Sequence, residues 1–187
     1  YAVWVVGNEL WNEPVIRADY ARVIQGARVV LVISETTLAA LQAKVTNLPP
    51  CKVCLLATEE EGESPLGPPD GPPTLLVFGR HDSYFAKGQD ILVRLWPRVT
   101  AALPDARLMF VGGGLKLAEL RNLAAASPAH ENINVKGFVE EQDILPIWQQ
   151  ASALALISSL EGFGLVIAEA MRHGRPVLAS LQDAGRE

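Results

Sequence analysis

The sequence predicts an α/β fold built on a doubly wound parallel sheet, with a partial second α/β unit at the N-terminus. Two observations predict it. Short runs rich in apolar and β-branched residues alternate with helix-spaced stretches along nearly the whole chain, as where Arg107–Val111 is followed by a helical pattern over 115–126. Such alternation favours parallel strands joined by right-handed helical crossovers. In addition, the run over 153–157 is apolar without a polar partner at every second position, the pattern of a strand covered on both faces.

In the N-terminal part, residues 2–6 and 28–33 read as strands, each followed by helical spacing, and Ser34 stands as the cap ahead of Glu35. Residues 51–56 read as a buried strand that closes a small parallel unit over 1–57. Composition then changes abruptly. Residues 58–73 contain four glutamates, five prolines, three glycines and one aspartate, which cannot build a regular core element. This stretch is expected to be a semi-rigid interdomain linker.

From residue 74 the alternation is cleaner. Strands are predicted at Thr74–Phe78, Arg107–Val111, 133–135, 153–157 and Val177–Ala179. Helices are predicted at 88–103, ended by Pro104, then at 115–126, 141–150 and 165–173, the last with Gly174 in the C-cap position. Residues 74–187 therefore form the second domain. The chain starts at Tyr1 rather than Met and stops at Glu187 just after a strand, so it is expected to be a piece of a longer protein, cut short at its C-terminal end.

Composition excludes several function classes. The chain has 187 residues, 49% of them apolar and 20% charged, enough for a well-packed core. A net charge of -5 without a basic stripe argues against a nucleic-acid partner. No apolar run approaches the roughly twenty residues that span a bilayer, and no basic-then-apolar signal opens the chain. A cytoplasmic location is expected, with peripheral membrane contact open to the full-length protein. Cys51 and Cys54 form a lone C-x-x-C whose partners for zinc are missing, because His81, His130 and His173 lie scattered elsewhere. Trp96 and Trp148 fall on apolar helix faces and read as core, whereas Trp4 and Trp11 are expected to be exposed.

In open parallel sheets ligands bind at the carboxyl ends of the strands, where helix N-termini offer unpaired N–H groups. Three loops there carry chemistry. Gly79-Arg80-His81-Asp82-Ser83-Tyr84-Phe85-Ala86-Lys87-Gly88 can bring a guanidinium and an ammonium to one anion such as a diphosphate; a pair of solvated cations is the plain alternative. Val111-Gly112-Gly113-Gly114 lets a backbone approach a ligand, though it lacks the full G-x-G-x-x-G pattern. The third, Ser158-Ser159-Leu160-Glu161-Gly162-Phe163-Gly164-Leu165, runs into a helix that carries Glu169. Amides near 163–165 form an anion nest flanked by two carboxylates. A diphosphate at the helix end, a polyhydroxylated ring at Glu161 and a ribose at Glu169 would satisfy all three; a dipole partner and a surface carboxylate are the bland reading. His81 reads as a solvated loop histidine and His173 as a C-terminal helix cap.

From about residue 74 onward the sequence resembles the C-terminal domain of retaining GT-B glycosyltransferases of family four, also called group 1. The carriers are Gly79-Arg80 with Lys87-Gly88, Phe110-Val111-Gly112-Gly113-Gly114, Val135-Lys136-Gly137-Phe138, Glu161-Gly162-Phe163-Gly164-Leu165 through Glu169-Ala170-Met171, and Gly174-Arg175-Pro176-Val177, all in family order. The resemblance implies a Rossmann-like donor half and an enzyme of hexosyltransferase type, transferring a sugar from a nucleotide-diphosphate sugar with retention of configuration. Arg80, Lys87 and Glu161 would be catalytic. Gly79, Arg80, Lys87, Gly113, Gly137, Phe138, Glu161, Phe163, Gly164, Leu165 and Glu169 would bind the donor, Glu169 at the ribose and Gly137-Phe138 near the base. Such enzymes stabilise the departing diphosphate with side chains and a helix end, and no Asp-x-Asp occurs here, so neither a metal nor a cofactor is expected. The acceptor, a saccharide, lipid or small molecule, is not specified.

The sequence departs from the family pattern in places. Thr58-Glu59-Glu60-Glu61 replaces a common Asn-Gly-Val-Asp, Ile157 stands where proline is frequent, and the glycine-rich acceptor loop and N-domain histidine have no counterpart. Ser34-Glu35-Thr36-Thr37 stands where a Ser-x-x-Thr-like segment is common. The isolated fragment is therefore expected to be inactive. Two alternatives remain: a catalytically inactive nucleotide-sugar-binding or scaffold module, and a GT-B nucleotide-sugar epimerase.

Overall fold

A computed structural model describes residues 1–7, 10, 16–58, 65–82, 87–159 and 161–181. Trp11, the first half of the expected linker (59–64), residues 83–86 of the first loop and Leu160 lie outside the described residues. The chain divides into two compact units. One comprises Tyr1–Thr58, Leu160–Leu165 and Leu181–Glu187; the other comprises Glu59–Ser159 and Val166–Ser180.

In the first unit, β1 (Ala2–Val5), β2 (Val29–Val32) and β3 (Cys51–Val53) form a parallel sheet in that order. Val5, Val30 and Val32 bury their side chains with Ile24 of α1 (Ala18–Gln25) and Leu41 of α2 (Glu35–Lys44). The Ser34 hydroxyl accepts from the Thr37 N–H at 3.0 Å, so the cap read from the sequence is made. The strand expected to be buried over 51–56 is shorter and half exposed. It stops at Val53, and Leu55 is 63% exposed, because β3 is an edge strand.

The second unit carries a five-stranded parallel sheet: β4 (Thr74–Phe78), β5 (Arg107–Val111), β6 (Ile133–Gly137), β7 (Ala153–Leu156) and β8 (Val177–Ala179), ordered β6-β5-β4-β7-β8. Alternation along each strand feeds two cores. Val77, Leu108, Phe110 and Ala155 face Leu92, Val93 and Trp96 of α3 (Gln89–Ala102) and Leu120 of α4 (Leu117–Ala125). Leu76, Met109, Val111 and Leu154 face Ile147 and Trp148 of α5 (Ile144–Gln150) and Ala170 of α6 (Leu165–Arg172). Burying each such large apolar side chain contributes about 1.5–3 kcal/mol. Burial on both sheet faces is why the three central strands carry consecutive apolar residues, at 75–78, 108–111 and 153–156.

Two boundaries differ from expectation for local reasons. The helix expected from residue 115 starts at Leu117, and ahead of it the N–H groups of Leu115 and Lys116 meet the Asp82 carboxylate (3.1 Å) and the His81 carbonyl (2.8 Å). The helix expected over 141–150 opens with a 3₁₀ turn at Glu141–Asp143 and becomes α-helical at Ile144, just ahead of Pro146, whose missing N–H is tolerated in a first turn.

Residues 65–73 contain no helix or strand, yet they are held on the second unit. Arg175, 5% exposed, donates from Nε to the Trp148 carbonyl (3.2 Å) and from Nη1 to the Gly67 carbonyl (2.9 Å). The Asp70 N–H meets the Gln149 carbonyl at 3.0 Å. Arg175 is placed by the end of α6. Gly174 (φ +69) and Arg175 return N–H groups to the carbonyls of Met171 (3.0 Å) and Ala170 (2.8 Å), a Schellman closure.

Candidate functional site

The order of strands in the five-stranded sheet reverses between β4 and β7, the place where open α/β sheets bind ligands. The loops leaving the carboxyl ends of these two strands meet there. A Cβ added to Gly88, at the end of the β4 loop, would stand 2.4 Å from Ile157 Cγ1 and 2.9 Å from the Ile157 carbonyl oxygen. Only a residue without a side chain brings α3 this close to the end of β7.

Around the reversal the backbone is tightly laced. Gly79 N–H donates to the Val111 carbonyl (2.9 Å), His81 N–H to the Gly113 carbonyl (2.9 Å) and Gly112 N–H to the Gly137 carbonyl (2.7 Å). The β4, β5 and β6 loops thus form one layer that carries Gly79, Arg80, Lys87, Gly113, Gly137 and Phe138. Gly112 sits at φ +129, and a Cβ on it would stand 2.0 Å from the Gly79 oxygen. Gly113 differs: a Cβ there would meet only Phe138 Cβ, at 3.6 Å, so the space beside its Cα is open. Phe138 is itself 73% exposed.

The cations are arranged differently from one another. Arg80 has an 83% exposed side chain and is paired with Asp82, Nε to Oδ2, at 2.5 Å. Asp82 accepts in turn from the Leu115 N–H at 3.1 Å. That backbone donor first, and the Arg80 guanidinium second, hold the Asp82 carboxyl below its ordinary range. The aliphatic stem of Lys87 lies over Gly79, with Cδ and Cε 3.3 Å from where a Cβ on that glycine would be.

His81 is a correction to the sequence reading of a solvated histidine: it is 1% exposed. Its ring stands edge-on to Phe110, centroids 6.3 Å apart, and its Nδ1 is 3.0 Å from Gln89 Nε2. Its backbone N–H and carbonyl are both used to stitch the glycine loop, which turns the side chain inward. Burial pushes its pKa below the ordinary 6.5, the nearby Asp82 opposes that shift, and Lys87 adds to it. No feature of the sequence marks this burial. Because folding lowers its pKa, His81 makes the protein less stable as pH falls below 6.5, where the unfolded chain takes up the proton first. In urea titrations between pH 7.5 and 5, His81→Leu with Gln89→Leu is expected to lose that part of the slope. His173, also held below 6.5 chiefly by burial, keeps its share in both proteins. An unchanged slope would show that His81 is not the group responsible.

His173 is a second correction. It does not cap α6 with its ring; it is buried against Trp148, with centroids 5.2 Å apart. Trp96 and Trp148 are core residues as expected, and Trp4 is exposed. Glu169 lies half-buried on α6, and burial raises its carboxyl pKa above the ordinary 4.5, with Arg172 opposing. The segment 161–165 is counted with the first unit; there Glu161 and Phe163 are half-buried, Gly164 is buried and Leu165 is exposed. Among the described residues no group of three or more His, Cys, Asp or Glu side chains could hold a metal ion. No helix among them is long and apolar enough to cross a membrane.

A GDP-mannose-dependent monoacylated alpha-(1-6)-phosphatidylinositol monomannoside mannosyltransferase of Corynebacterium glutamicum is 35% identical over 108 residues, 54% of this chain and 28% of that protein. A phosphatidyl-myo-inositol mannosyltransferase of Mycobacterium tuberculosis is 34% identical over 114 residues, 60% of this chain and 29% of that protein. The chain thus spans less than a third of the length of these relatives. Among solved structures, HepE of Anabaena in complex with UDP and glucose aligns over 99% of this chain and 54% of its own, with a TM-score of 0.76 and 21% identity. Sucrose-phosphate synthase of Thermosynechococcus elongatus aligns over 95% and 46%, with a TM-score of 0.72 and 24% identity. These two likenesses concern the fold, a Rossmann-like α/β architecture shared with GT-B glycosyltransferases. The family model of the glycosyl transferases group 1 matches residues 72–187, the span that contains every loop of the strand-order reversal, and the chain belongs to that family.

Proposed function

We propose that this chain is the donor-binding half of a hexosyltransferase that moves a sugar from a nucleotide-diphosphate sugar to an acceptor hydroxyl with retention of configuration. The observation that carries the reading is the meeting of the β4 and β7 loops at the strand-order reversal, through Gly88 and Ile157, in a layer that also presents Arg80, Lys87 and the glycine turn. A fold alone does not assign an activity; this set of groups at this edge supports one.

In the proposed reaction the bond between the anomeric carbon and the leaving phosphate oxygen breaks through an oxocarbenium-like transition state. Arg80 and Lys87 take up the charge that develops on the diphosphate, in a prearranged setting. The amides of Phe163, Gly164 and Leu165 bind phosphate and sugar, and Glu161 holds the hydroxyls of the transferred ring. Gly113 leaves backbone open to the donor, Gly137 and Phe138 lie near the base, and Glu169 accepts from the ribose. Positioning and electrostatics supply the rate, without metal or cofactor. The relatives named as mannosyltransferases make GDP-mannose the first donor to test, and the UDP and glucose bound by HepE make UDP-glucose the second. Phosphatidylinositol monomannoside and phosphatidyl-myo-inositol in the names of those relatives make a lipid-borne acceptor the first acceptor class to examine.

Calorimetric titration with GDP, UDP, GDP-mannose and UDP-glucose tests the donor site. One nucleotide family is expected to bind. Glu169→Gln is expected to weaken it roughly 10- to 100-fold, the loss of a hydrogen bond to a charged group. Stability moves the other way. A carboxyl whose pKa is raised on folding contributes stability that is present below the unfolded value of 4.5 and is lost as pH rises through the folded value. At neutral pH the glutamine variant is therefore at least as stable as the parent, and weaker binding is not a sign of unfolding. A well-folded parent that binds no nucleotide at millimolar concentration would point instead to a scaffold module.

A further inference from the structure

We propose that Ser34 and Thr37 are positioning residues for the donor: a relay of two buried hydroxyls that fixes the peptide of Gly162, and with it Glu161 and the amides of 163–165. The inference rests on the donor reading above and deepens it. Both side chains are fully buried. Ser34 Oγ is 2.6 Å from the Gly162 carbonyl oxygen and 2.8 Å from Thr37 Oγ1, and Thr37 Oγ1 is 3.3 Å from that same carbonyl.

Proton counting orders the contacts. A serine hydroxyl has one hydrogen, and the Gly162 oxygen can only accept, so the shortest contact takes the Ser34 hydrogen. Ser34 Oγ then accepts from the Thr37 hydroxyl and from the Thr37 N–H, the latter at 3.0 Å. Every polar group in the relay is satisfied. An N-cap needs only the Ser34 lone pair and the Thr37 N–H. The donated Ser34 hydrogen, which serves a carbonyl 128 residues away in sequence, and the Thr37 hydroxyl that holds Ser34 Oγ are more than a helix start requires.

That carbonyl belongs to the residue directly after Glu161 and directly before the proposed amide nest. Fixing its direction fixes the plane of the peptide between Gly162 and Phe163, and so the aim of the Phe163 N–H. Gly162 has no side chain to hold that plane itself, so an external anchor reduces the freedom the donor would otherwise have to freeze out.

The test uses Ser34→Ala, Thr37→Val and Thr37→Ser, with calorimetry against the nucleotide sugar bound by the parent and against the corresponding nucleoside, which lacks both phosphates and the transferred sugar. Ser34→Ala and Thr37→Val are expected to weaken nucleotide-sugar binding roughly three- to tenfold, the range for one hydrogen bond. Thr37→Ser is expected to restore it, and nucleoside affinity is expected to stay level throughout. Should Ser34→Ala fail to fold, the Thr37 pair decides alone, because Thr37→Val keeps both shape and helix cap. Equal nucleotide-sugar affinity in folded variants overturns the relay, as does a loss shared by the nucleoside or a Thr37→Ser that behaves like Thr37→Val. A parent that binds no nucleotide sugar overturns the donor reading itself, an outcome distinct from a binding parent with indifferent variants.

Discussion

Gly112→Ala is expected to lower the melting temperature by roughly 10 °C or more and to remove nucleotide binding with it. Two effects combine at this residue. Its backbone sits at φ +129, a conformation that costs an L-residue about 1–3 kcal/mol. A Cβ would also stand 2.0 Å from the Gly79 oxygen, and that oxygen belongs to a backbone tied to Val111 and so cannot swing aside. Each kcal/mol lost shifts the midpoint by about 2–4 °C in a chain of this size. Gly113→Ala is the matched control. With only Phe138 Cβ at 3.6 Å, it keeps the parent's melting temperature, and on the donor proposal it still weakens nucleotide binding because the added methyl fills the open space beside the Cα. Scanning calorimetry of the two variants separates a glycine needed by the fold from a glycine needed by the ligand. Equal melting temperatures would show that the Gly79–Gly112 contact relaxes without cost.

The same pair of residues shows what the sequence could and could not convey. Three consecutive glycines after an apolar run announce a strand-to-helix turn, and the bounds of β4, β5 and β8 were readable because each is a short, mostly apolar run. Which glycine bears the strain was not readable, since that depends on β4 passing beside β5. Gly174 announced the end of α6 because a Schellman closure is local; the Arg175 side chain that follows it, reaching Gly67 across 108 positions, is not local and left no trace. The Pro- and Gly-rich stretch was read from composition as a linker, and composition does report the missing helix and strand in 65–73. It cannot report that two carbonyl and amide contacts hold that stretch against the second unit.

His81 and Ser34 teach a related lesson about polar residues. A histidine three residues past a strand looks solvated by default, yet both its backbone groups hold Gly113 and Lys116 and its ring lies buried under the loop. Ser34 was legible as a helix cap because its place ahead of Glu35 at the start of helical spacing is local. Its second bond, to Gly162, is a tertiary choice that no spacing encodes. The residues of the candidate site were named from motif order, whereas the polar residues that hold them in place came only from three-dimensional contacts.

The largest effect on ligand binding is expected from Arg80→Ala combined with Lys87→Met, which on the donor proposal removes both cations from the diphosphate. A hydrogen bond to a charged group is worth about 1.5–3 kcal/mol, so the double variant loses roughly hundredfold or more in affinity for nucleotide diphosphates. Stability is expected to change little, because Arg80 is 83% exposed and exposed ion pairs contribute little. The methionine keeps an unbranched stem over Gly79, where the lysine carbons now pack. Asp82 sharpens the effect: its Oδ2 loses Arg80 while its Oδ1 stays fixed by the Leu115 N–H, so an uncompensated carboxylate is left beside the phosphate position. Affinity for the nucleoside without phosphates is the internal standard and is expected to hold. If calorimetry found nucleoside and nucleotide diphosphate weakened alike, the two cations would be acting on the shape of the β4 loop rather than on the leaving group. A diphosphate affinity equal to the parent's would remove Arg80 and Lys87 from the site altogether.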